Sequence, residues 1–392
     1  MAEYRFDQIV INITEKKKPV EEDKYTYIGL EHLDSQNLKV SRWGSDIAPK
    51  GEKLVMKKGD VLFGKRRAYQ KKVAIAPFDG IFSAHGMVLR PNEEIIDKNF
   101  FPLFISSDYF LDAAIKISVG SLSPTINWRD LKELKFQLPD LDKQKKLADM
   151  LWLINRTLLR YKELLNKTDE LVKSQFIEMF GMKAMKQHGW KVSPIDKIIE
   201  KPISGEWGKD DSDGTGVRVL RTTNFTDQGS IDYSDVVTRK IDEKKINRKY
   251  MKFGDILIEK SGGSDTKPVG RVVFYSGKDE AFLFNNFTSV LRLKPKSGLL
   301  PEYLFMYLYV NYWNNGTRIY ENKTTGIHNL KLADYLSGTS LPLPPIELQK
   351  QFSVFMKQSD KSKFVSDTEV RDFRLLSNLI RNYNNMNVKD GN

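Results

Sequence analysis

The sequence of 392 residues contains no cysteine, which excludes disulfides, thiolate nucleophiles and cysteine-built zinc sites. It has only four histidines, and no two of them stand at the spacing of a metal-binding pair. No run of about 18 apolar residues is free of charge, and no apolar run follows a basic start near Met1. We therefore expect a protein of the reducing cytoplasm that is neither secreted nor membrane-spanning.

The loops with which enzymes hold nucleotides or cofactors are also missing. The closest approach to a phosphate-binding loop, Ser261–Pro268, lacks the Lys-Ser/Thr pair and has proline where a helix should begin. No Gly-x-Gly-x-x-Gly follows a predicted strand, and Leu343–Ile346 lacks the flanking residues of an amino-methyltransferase tetrapeptide. Asp255 and Glu259 weakly suggest a nuclease metal site, but on a strand they would lie about 13 Å apart. Asp255 is more simply a turn residue, so we predict no catalytic residue and no bound metal.

Negative charge is in the minority. Lys and Arg number 63 against 51 Asp and Glu, which gives a formal net charge of +12. Such an excess favours an anionic partner, and nucleic acid is the first candidate because basic domains often neutralise phosphates. The alternative, that the charge only keeps the chain soluble, stays open at this point.

What the sequence does contain is a repetition. Gly59–Phe63 is similar to Gly254–Ile258, and Leu138–Lys145 is similar to Leu343–Lys350. The period is much longer than the roughly 20 to 50 residues of a solenoid repeat, so each copy should be a domain with its own core. We predict four segments: a first module at 1–137, a helix at 138–183, a second module at 184–342, and a helix with a tail at 343–392.

Each predicted module mixes short strands with a helix, which indicates an α+β fold. The expected elements of the first module are the strands Tyr25–Leu30, Val61–Phe63, Val73–Ala76 and Met87–Leu89 and the helix Pro102–Val119. Those of the second are the strands Val217–Leu220, Ile256–Ile258, Val269–Tyr275 and Ser289–Leu293 and the helix Pro301–Asn314.

A heptad pattern follows each module. It predicts a helix from Asp142, which can cap it, to Phe180, before Gly181; at about 1.5 Å per residue this helix is roughly 58 Å long. A weaker pattern after Pro345 predicts a second helix that needs the first as its partner. The expected seam residues are Leu147, Leu151, Ile154, Leu158, Tyr161, Leu165 and Val172 in the first helix and Phe352, Met356, Phe373 and Ile380 in the second.

Basic and amide side chains are interleaved in the predicted loops. Lys65–Lys72 is a dense cationic patch after a strand, and its arginines and glutamine could contact phosphates or base edges, although most such clusters are simply solvated. The candidate DNA-binding residues of the first module are Lys65, Arg66, Arg67, Tyr69, Gln70, Lys71, Ser83, His85, Ser121, Ser123 and Thr125. Those of the second are Arg218, Arg221, Thr222, Asn224, Lys260, Ser261, Ser264, Asn285, Asn286, Lys323 and Thr324.

Taken together, these motifs resemble the specificity subunit of a type I restriction-modification system. The resemblance covers essentially the whole chain, and it includes Tyr27–Leu33, Phe176–Gly181 and Asp360–Phe364 besides the two repeated motifs. It implies two target recognition domains separated by two long helices that pair antiparallel with pseudo-twofold symmetry. Each domain would bind half of a split double-stranded DNA site, and the helices would fix the spacing.

The resemblance also implies the partners. Two modification subunits would carry S-adenosylmethionine, restriction subunits would use ATP and magnesium, and this chain would bind no cofactor and have no catalytic centre. Two other classes stay open on the residues alone. One is a coiled-coil interaction scaffold with incidental basic charge, and the other is a DNA-modifying enzyme with an unrecognised site.

Overall fold

A computed structural model describes residues 1–35, 37–324 and 326–361, except for the side chain of Thr324. The described chain forms two compact units, and the division between them falls between Lys162 and Glu163, inside one long helix. Each unit contains strands and helices, which confirms the α+β class. Phe373 and Ile380 of the predicted second seam lie outside the described residues.

The described residues of the first unit form ten strands. They are β1 Ala2–Arg5, β2 Val10–Ile13, β3 Lys16–Lys17, β4 Tyr27–Ile28, β5 Lys53–Met56, β6 Val61–Phe63, β7 Val73–Ile75, β8 Gly80–Phe82, β9 Met87–Pro91 and β10 Lys135–Leu138. Its helices are α1 Phe6–Ile9, α2 Phe100–Ile105, α3 Asp108–Lys116, α4 Trp128–Leu131 and the start of α5 Leu141–Phe180. Short 3-10 turns lie at Glu21–Tyr25, Leu30–His32 and Ala68–Gln70.

The second unit takes the end of α5 and continues to residue 361 in the described chain. Its helices are α6 Met182–His188, α7 Ile195–Ile198, α8 Glu243–Lys249, α9 Pro301–Trp313, α10 Leu332–Gly338 and α11 at residues 346–361. Its strands are β11 Val192–Pro194, β12 Ile203–Ser204, β13 Lys209–Asp210, β14 Val217–Leu220, β15 Val237–Lys240, β16 Ile256–Glu259, β17 Ser261–Gly263, β18 Val272–Phe274, β19 Leu283–Phe284, β20 Thr288–Leu291, β21 Glu321–Thr324, β22 Ile327–Leu330 and β23 Ser340–Pro342.

Each unit has a central four-stranded sheet that is buried on both faces. The strand orders are β2-β9-β6-β7 in the first unit and β12-β20-β16-β18 in the second. Because side chains alternate across a strand, Val61 and Phe63 pack into one core while Leu62 packs into another. Ile256 and Leu257 are divided between two cores in the same way. The predicted duplication is therefore a duplication of the fold.

The second sheet of each unit differs in one connection. Both contain a parallel pair, β4 with β8 in the first unit and β14 with β19 in the second. In the first unit, β5 pairs with β8, the second strand of this parallel pair. In the second unit, β15 pairs instead with β14, the first strand of the pair. Loops of different length and composition thus attach to opposite sides of an equivalent pair.

The repeated Gly-Asp motif forms a turn that is locked to an arginine. Gly59 has a positive φ of 94° in a turn where the Asp60 carboxylate accepts the Lys57 amide at 2.8 Å. The same buried carboxylate accepts two hydrogen bonds from Arg90, at 2.7 and 2.9 Å. Asp255 repeats this arrangement with Arg292, and both of those bonds measure 2.7 Å. The prediction that Asp255 is a turn residue is confirmed.

The repeated glutamine holds each long helix to the module before it. Gln144 is buried; its amide donates to the Pro139 carbonyl at 2.9 Å and its oxygen accepts the Asp97 amide at 2.8 Å. Gln349 makes the equivalent bonds, to the Pro344 carbonyl at 2.8 Å and from the Leu300 amide at 2.8 Å. A side chain with two donors and an acceptor thus satisfies backbone groups on both sides of the junction.

Two helix predictions need correction. The long helix is present, but it begins one residue earlier, and Asp140 rather than Asp142 caps it by accepting the Lys143 amide at 2.9 Å. The helix predicted at Pro102–Val119 is two helices, α2 and α3, because α2 ends at Ile105 and Ser107 caps α3 by accepting the Phe110 amide.

The seam of α5 follows the predicted heptads at first and then drifts. Ala148, Leu151 and Ile154 are buried, Leu147 packs on the same core, and Leu158, Tyr161 and Leu165 are half-buried. Val172 of the predicted seam is also buried, but beyond it Phe176 and Phe180 are buried, where strict heptad spacing predicts Gln175 and Met179. An α-helix has 3.6 residues per turn, so a straight helix leaves a 3.5-residue register over several turns. Met356 and Phe352 of α11 pack into the same core as Phe176.

Candidate nucleic-acid interface

Three segments of the first module come together beyond the ends of β6 and β8. They are residues 65–72, 83–86 and 119–125, and we call this region the first edge. Backbone hydrogen bonds join them: the Arg66 amide donates to the His85 carbonyl at 3.3 Å, and the Ala68 amide donates to the Pro124 carbonyl at 3.3 Å. All eleven candidates of the first module lie on these segments.

The first edge presents a mixture of charged, aromatic and small polar groups. Arg66, Arg67, Tyr69, His85 and Ser121 are exposed. Lys65, Gln70, Lys71, Ser123 and Thr125 are half-buried, and Ser83 is buried. Guanidinium, amide and hydroxyl groups at one exposed edge can form hydrogen bonds with phosphates and base edges.

The loop 65–72 has a constrained backbone. Arg67 and Lys71 adopt left-handed conformations, with φ of 56° and 48°, on either side of the short turn Ala68–Gln70. Such conformations are uncommon outside glycine. The Lys71 ammonium bridges Asp108 and Asp112 of α3 at 2.7 and 2.9 Å, so its charge is compensated within the module.

The second module has an equivalent edge with a different construction. The second edge comprises residues 260–267, 285–288, 321–324 and 326–330. The Leu330 amide donates to the Lys260 carbonyl at 2.8 Å, as the Ile126 amide donates to that of Lys65 at 2.9 Å in the first module. In place of a 3-10 turn, the chain after Lys260 forms β17, which pairs with β22, and β22 pairs with β21.

A buried histidine fastens this three-stranded sheet. His328 Nδ1 lies 2.7 Å from Glu321 Oε2, and Arg318 lies 3.2 Å from the same oxygen. The Asp265 carboxylate lies 3.4 Å from His328 Nε2 and 2.5 Å from the Lys323 ammonium. The contacts with Lys323 and His328 lower the pKa of Asp265. Lys323 is therefore exposed but already paired.

The remaining candidates of the second module divide into three groups. Ser261, Ser264, Asn286 and Lys323 are exposed or half-buried on the second edge, and Asn285 is buried there with a side-chain oxygen that has no hydrogen-bond partner among the described residues. Arg221, Thr222 and Asn224 lie outside this edge, at the short 3-10 turn after β14. Arg218 lies elsewhere, in a cavity of about 610 Å³ with its guanidinium 4.5 Å from the Phe282 ring centre. The side chain of Thr324 is outside the described part.

Arg221, Thr222 and Asn224 are held by internal bonds. Arg221 pairs with Asp235 at 2.8 Å, and the buried Asn224 accepts the Arg221 amide at 2.8 Å while donating to the Asp235 carbonyl at 2.9 Å. The Thr222 carbonyl accepts a hydrogen bond from Arg271 at 3.2 Å. These contacts give the side chains of Arg221 and Asn224 a structural role.

The carboxylates considered for a nuclease site are also structural. Asp255 is bound by Arg292 as described, and Glu259 lies 3.1 Å from Arg271. Sequence reasoning missed Arg271, and it included the equivalent Lys72 only as part of the cationic patch Lys65–Lys72, whereas Lys72 donates to the Leu30 carbonyl at 2.6 Å. The equivalence of Lys72 and Arg271 follows from the register of β7 and β18, and only the pairing of these strands reveals that register. Within the described ranges, no group of three or more His, Asp and Glu side chains is placed to hold a metal ion.

Lys65 and Lys260 occupy the same position in the two modules and share an environment. Burial lowers the pKa of Lys65 below the ordinary value for lysine, and the positive charge of Lys16 lowers it further. Burial also lowers the pKa of Lys260, and there the second cause is the charge of Lys249. Each edge thus contains a half-buried ammonium next to another cation.

Comparison with known proteins identifies the family to which this two-module chain belongs. The sequence model for the type I restriction modification DNA specificity domain matches residues 10–167 and again residues 187–368. The chain belongs to the type I restriction-modification specificity subunit family. It is 28% identical over 146 residues to the type I restriction enzyme EcoDI specificity subunit of Escherichia coli. That alignment covers 37% of this chain and 32% of the relative, so the chain spans about a third of the relative's length.

Solved structures show the same fold. A chain from a structure on complex assembly and conformational transition of the type I R-M system has a TM-score of 0.55 at 19% identity, covering 98% of this chain and 97% of that one. The type I restriction-modification S subunit from M. genitalium has a TM-score of 0.52 at 13% identity, with 97% and 94% covered. As for membranes, no helix in the described ranges combines the length and the apolar character that crossing one requires.

Proposed function

We propose that this specificity subunit binds a bipartite DNA target, with the first edge contacting one half-site and the second edge the other. The observation that carries the proposal is that two equivalent scaffolds present different edges. The Gly-Asp turn, its arginine and the half-buried lysine recur, while the segments around them differ in sequence and in secondary structure. Equivalent frames with different contact groups suit two different DNA sequences.

The chemistry of the edges supports direct contact with bases. Arg66, Arg67 and Gln70 of the first edge can make paired hydrogen bonds to guanine and adenine in the major groove. The second edge offers Asn286 for adenine and the hydroxyls of Ser261 and Ser264. Because Lys71, Lys323 and Arg221 are paired internally, we assign them a structural role.

We further propose that the long helices set the distance between half-sites and bind two modification subunits. In this proposal the chain is not catalytic and binds no cofactor; S-adenosylmethionine, ATP and magnesium belong to the modification and restriction subunits. Helix α5, with 40 residues, is about 60 Å long, which is more than one turn of duplex DNA. A rigid element of this length suits a spacer.

An exposed apolar stripe on α5 supports binding of another subunit. Met150, Leu153, Leu164 and Leu171 are between 49% and 59% exposed. At about 100° per residue they fall within roughly 60° of one another around the helix. Exposed leucines in such an alignment are typical of a helix that packs against a partner.

Replacing Leu164 and Leu171 together by arginine is expected to weaken assembly with the modification subunits at least about tenfold, because two charges would be buried in an apolar contact. Co-purification of the complex and its mass measure the effect. Leu159→Arg is the matched control, since Leu159 is 46% exposed but lies on another side of α5. Equal assembly of the double variant and the control would exclude this stripe as the binding surface.

Mapping methylated bases in the genome of cells that express the complete complex tests the function. We expect one split sequence in which both half-sites are defined. Exchanging residues 65–72 for those of a related subunit with another target should change one half-site and leave the other intact. Loss of both half-sites, or methylation without sequence preference, would contradict the assignment of one edge to each half.

A further inference from the structure

One cation occupies an equivalent place in both modules despite the differences around it. Phe63 of β6 pairs with Val73, and Ile258 of β16 pairs with Val272, so Phe63 and Ile258 occupy equivalent positions. Lys65 and Lys260 each lie two residues after these positions. Their carbonyls accept equivalent backbone hydrogen bonds, from the Ile126 amide to Lys65 and from the Leu330 amide to Lys260. The side chains therefore leave the backbone at the same point of the fold.

The surroundings of these two lysines are unfavourable for an ammonium group. Neither has a carboxylate partner among the described residues, although Lys260 donates to the Ser204 hydroxyl at 3.2 Å. The nearby cations are partly compensated: Lys16 lies 3.6 Å from Glu52, and Lys249 lies 2.7 Å from Glu206. A half-buried positive charge without its own counterion is costly, and a bound anion would remove that cost.

The paired lysines of the same edges make the contrast clear. Lys71 of the first edge has two carboxylate partners, and Lys323 of the second edge has one. Each edge thus carries at least one lysine that is paired with a carboxylate and, among the described residues, at least one that is not, which is Lys65 in the first edge and Lys260 in the second. An incoming phosphate gains most from the second kind, because no internal ion pair has to be broken.

We infer that Lys65 and Lys260 are equivalent anchors for the DNA backbone, one in each module, which bind phosphate whatever the base sequence. This inference rests on the proposed function and adds to it that different residues bind the DNA backbone and the bases. A group that is the same in two modules for different targets cannot distinguish those targets, and phosphate is the part of DNA that every sequence presents alike. The differing residues around each lysine would then supply the sequence preference.

The experiment measures binding of the full-length chain to a random-sequence DNA duplex over a range of salt concentrations. Lys65→Gln and Lys260→Gln should each reduce the slope of log affinity against log salt by about one, and the double variant by about two. Lys71→Gln and Lys323→Gln remove the same formal charge from the same edges and should leave the slope near that of the unmodified chain. Lys65→Arg and Lys260→Arg keep the charge and should restore it.

A second readout separates an anchor from a base contact. In cells with the complete complex, the Lys65→Gln and Lys260→Gln variants should methylate the same sequence as the unmodified chain, at a lower rate. Changed methylated bases, or slopes equal to those of the Lys71→Gln and Lys323→Gln controls, would overturn the inference while leaving the proposed function in place. A lack of salt-dependent DNA binding by the unmodified chain would overturn both.

Discussion

Asp255→Asn is expected to destabilise the second module by about 3 kcal/mol, because the substitution leaves the Arg292 guanidinium without its counterion. The Asp255 side chain is 1% exposed and that of Arg292 is 20% exposed, so solvent only partly compensates for the loss. The carboxylate also accepts the Lys252 amide at 2.7 Å, which ties the ion pair to the turn before β16. Asp60→Asn should act in the same way on the first module, somewhat more weakly, since Arg90 is 37% exposed.

Hydrogen exchange of the native full-length chain measures this effect, because two units need not unfold in one step. Asp255→Asn should lower the protection of the β16 and β20 amides by about two orders of magnitude, and the β6 amides provide an internal reference. Asp235→Asn is the control: that carboxylate is 82% exposed and also pairs with an arginine, Arg221. We expect less than about 0.5 kcal/mol from it. Equal effects of the two substitutions would show that burial of the pair is unimportant.

Local sequence predicts much of this fold because its decisive signals lie close together in the chain. The Gly-Asp turns need a residue that tolerates positive φ followed by a short side chain that accepts a backbone amide, so they recur as dipeptides. The heptads of α5 indicate a long helix without any tertiary information. What the motifs do not reveal is their distant partner: Arg292 lies 37 residues after Asp255.

The candidate edges show the same limit more strongly. Lys71 and Lys65 look equivalent in the sequence, yet Lys71 is neutralised by Asp108 and Asp112, whereas Lys65 has no carboxylate partner in the part of the chain that the structure describes. The difference depends on α3 packing beside the loop 65–72, and no spacing along the chain encodes that. Asn224 likewise has a side chain of the kind that contacts bases, but it is buried in a turn, where it is hydrogen-bonded to backbone groups.

The sequence also could not predict where the two modules diverge. Strand β15 joins β14, whereas β5 joins β8, although both strands precede the Gly-Asp turn of their module. The hydrophobic pattern of a strand indicates which of its residues are buried, but it does not indicate with which neighbouring strand it pairs. In the proposed function, this divergence would leave the central sheet and the half-buried lysine of each module unchanged while the outer loops differ.

Phe352→Ala is expected to destabilise the second unit by about 3–5 kcal/mol, because it leaves a cavity where the end of α5 meets α11. Phe352 is completely buried, and its ring centre lies 5.2 Å from that of Phe176 and 5.9 Å from that of Phe180. Tyr303 of α9 completes the cluster at 4.9 Å from Phe180. The amides near the end of α5 should lose protection from hydrogen exchange together with those of α9.

Two further substitutions separate the cavity from other consequences of the change. Val354→Ala shortens a side chain that is 56% exposed on the same helix and should change stability by less than about 0.5 kcal/mol. Phe352→Leu keeps most of the buried volume and should cost clearly less than alanine. If alanine and leucine at residue 352 were equally destabilising, the lost aromatic contacts rather than the cavity would dominate. If neither lowered the protection of α5, its end would not depend on α11, and the proposed helical spacer would lose its anchor in the second module.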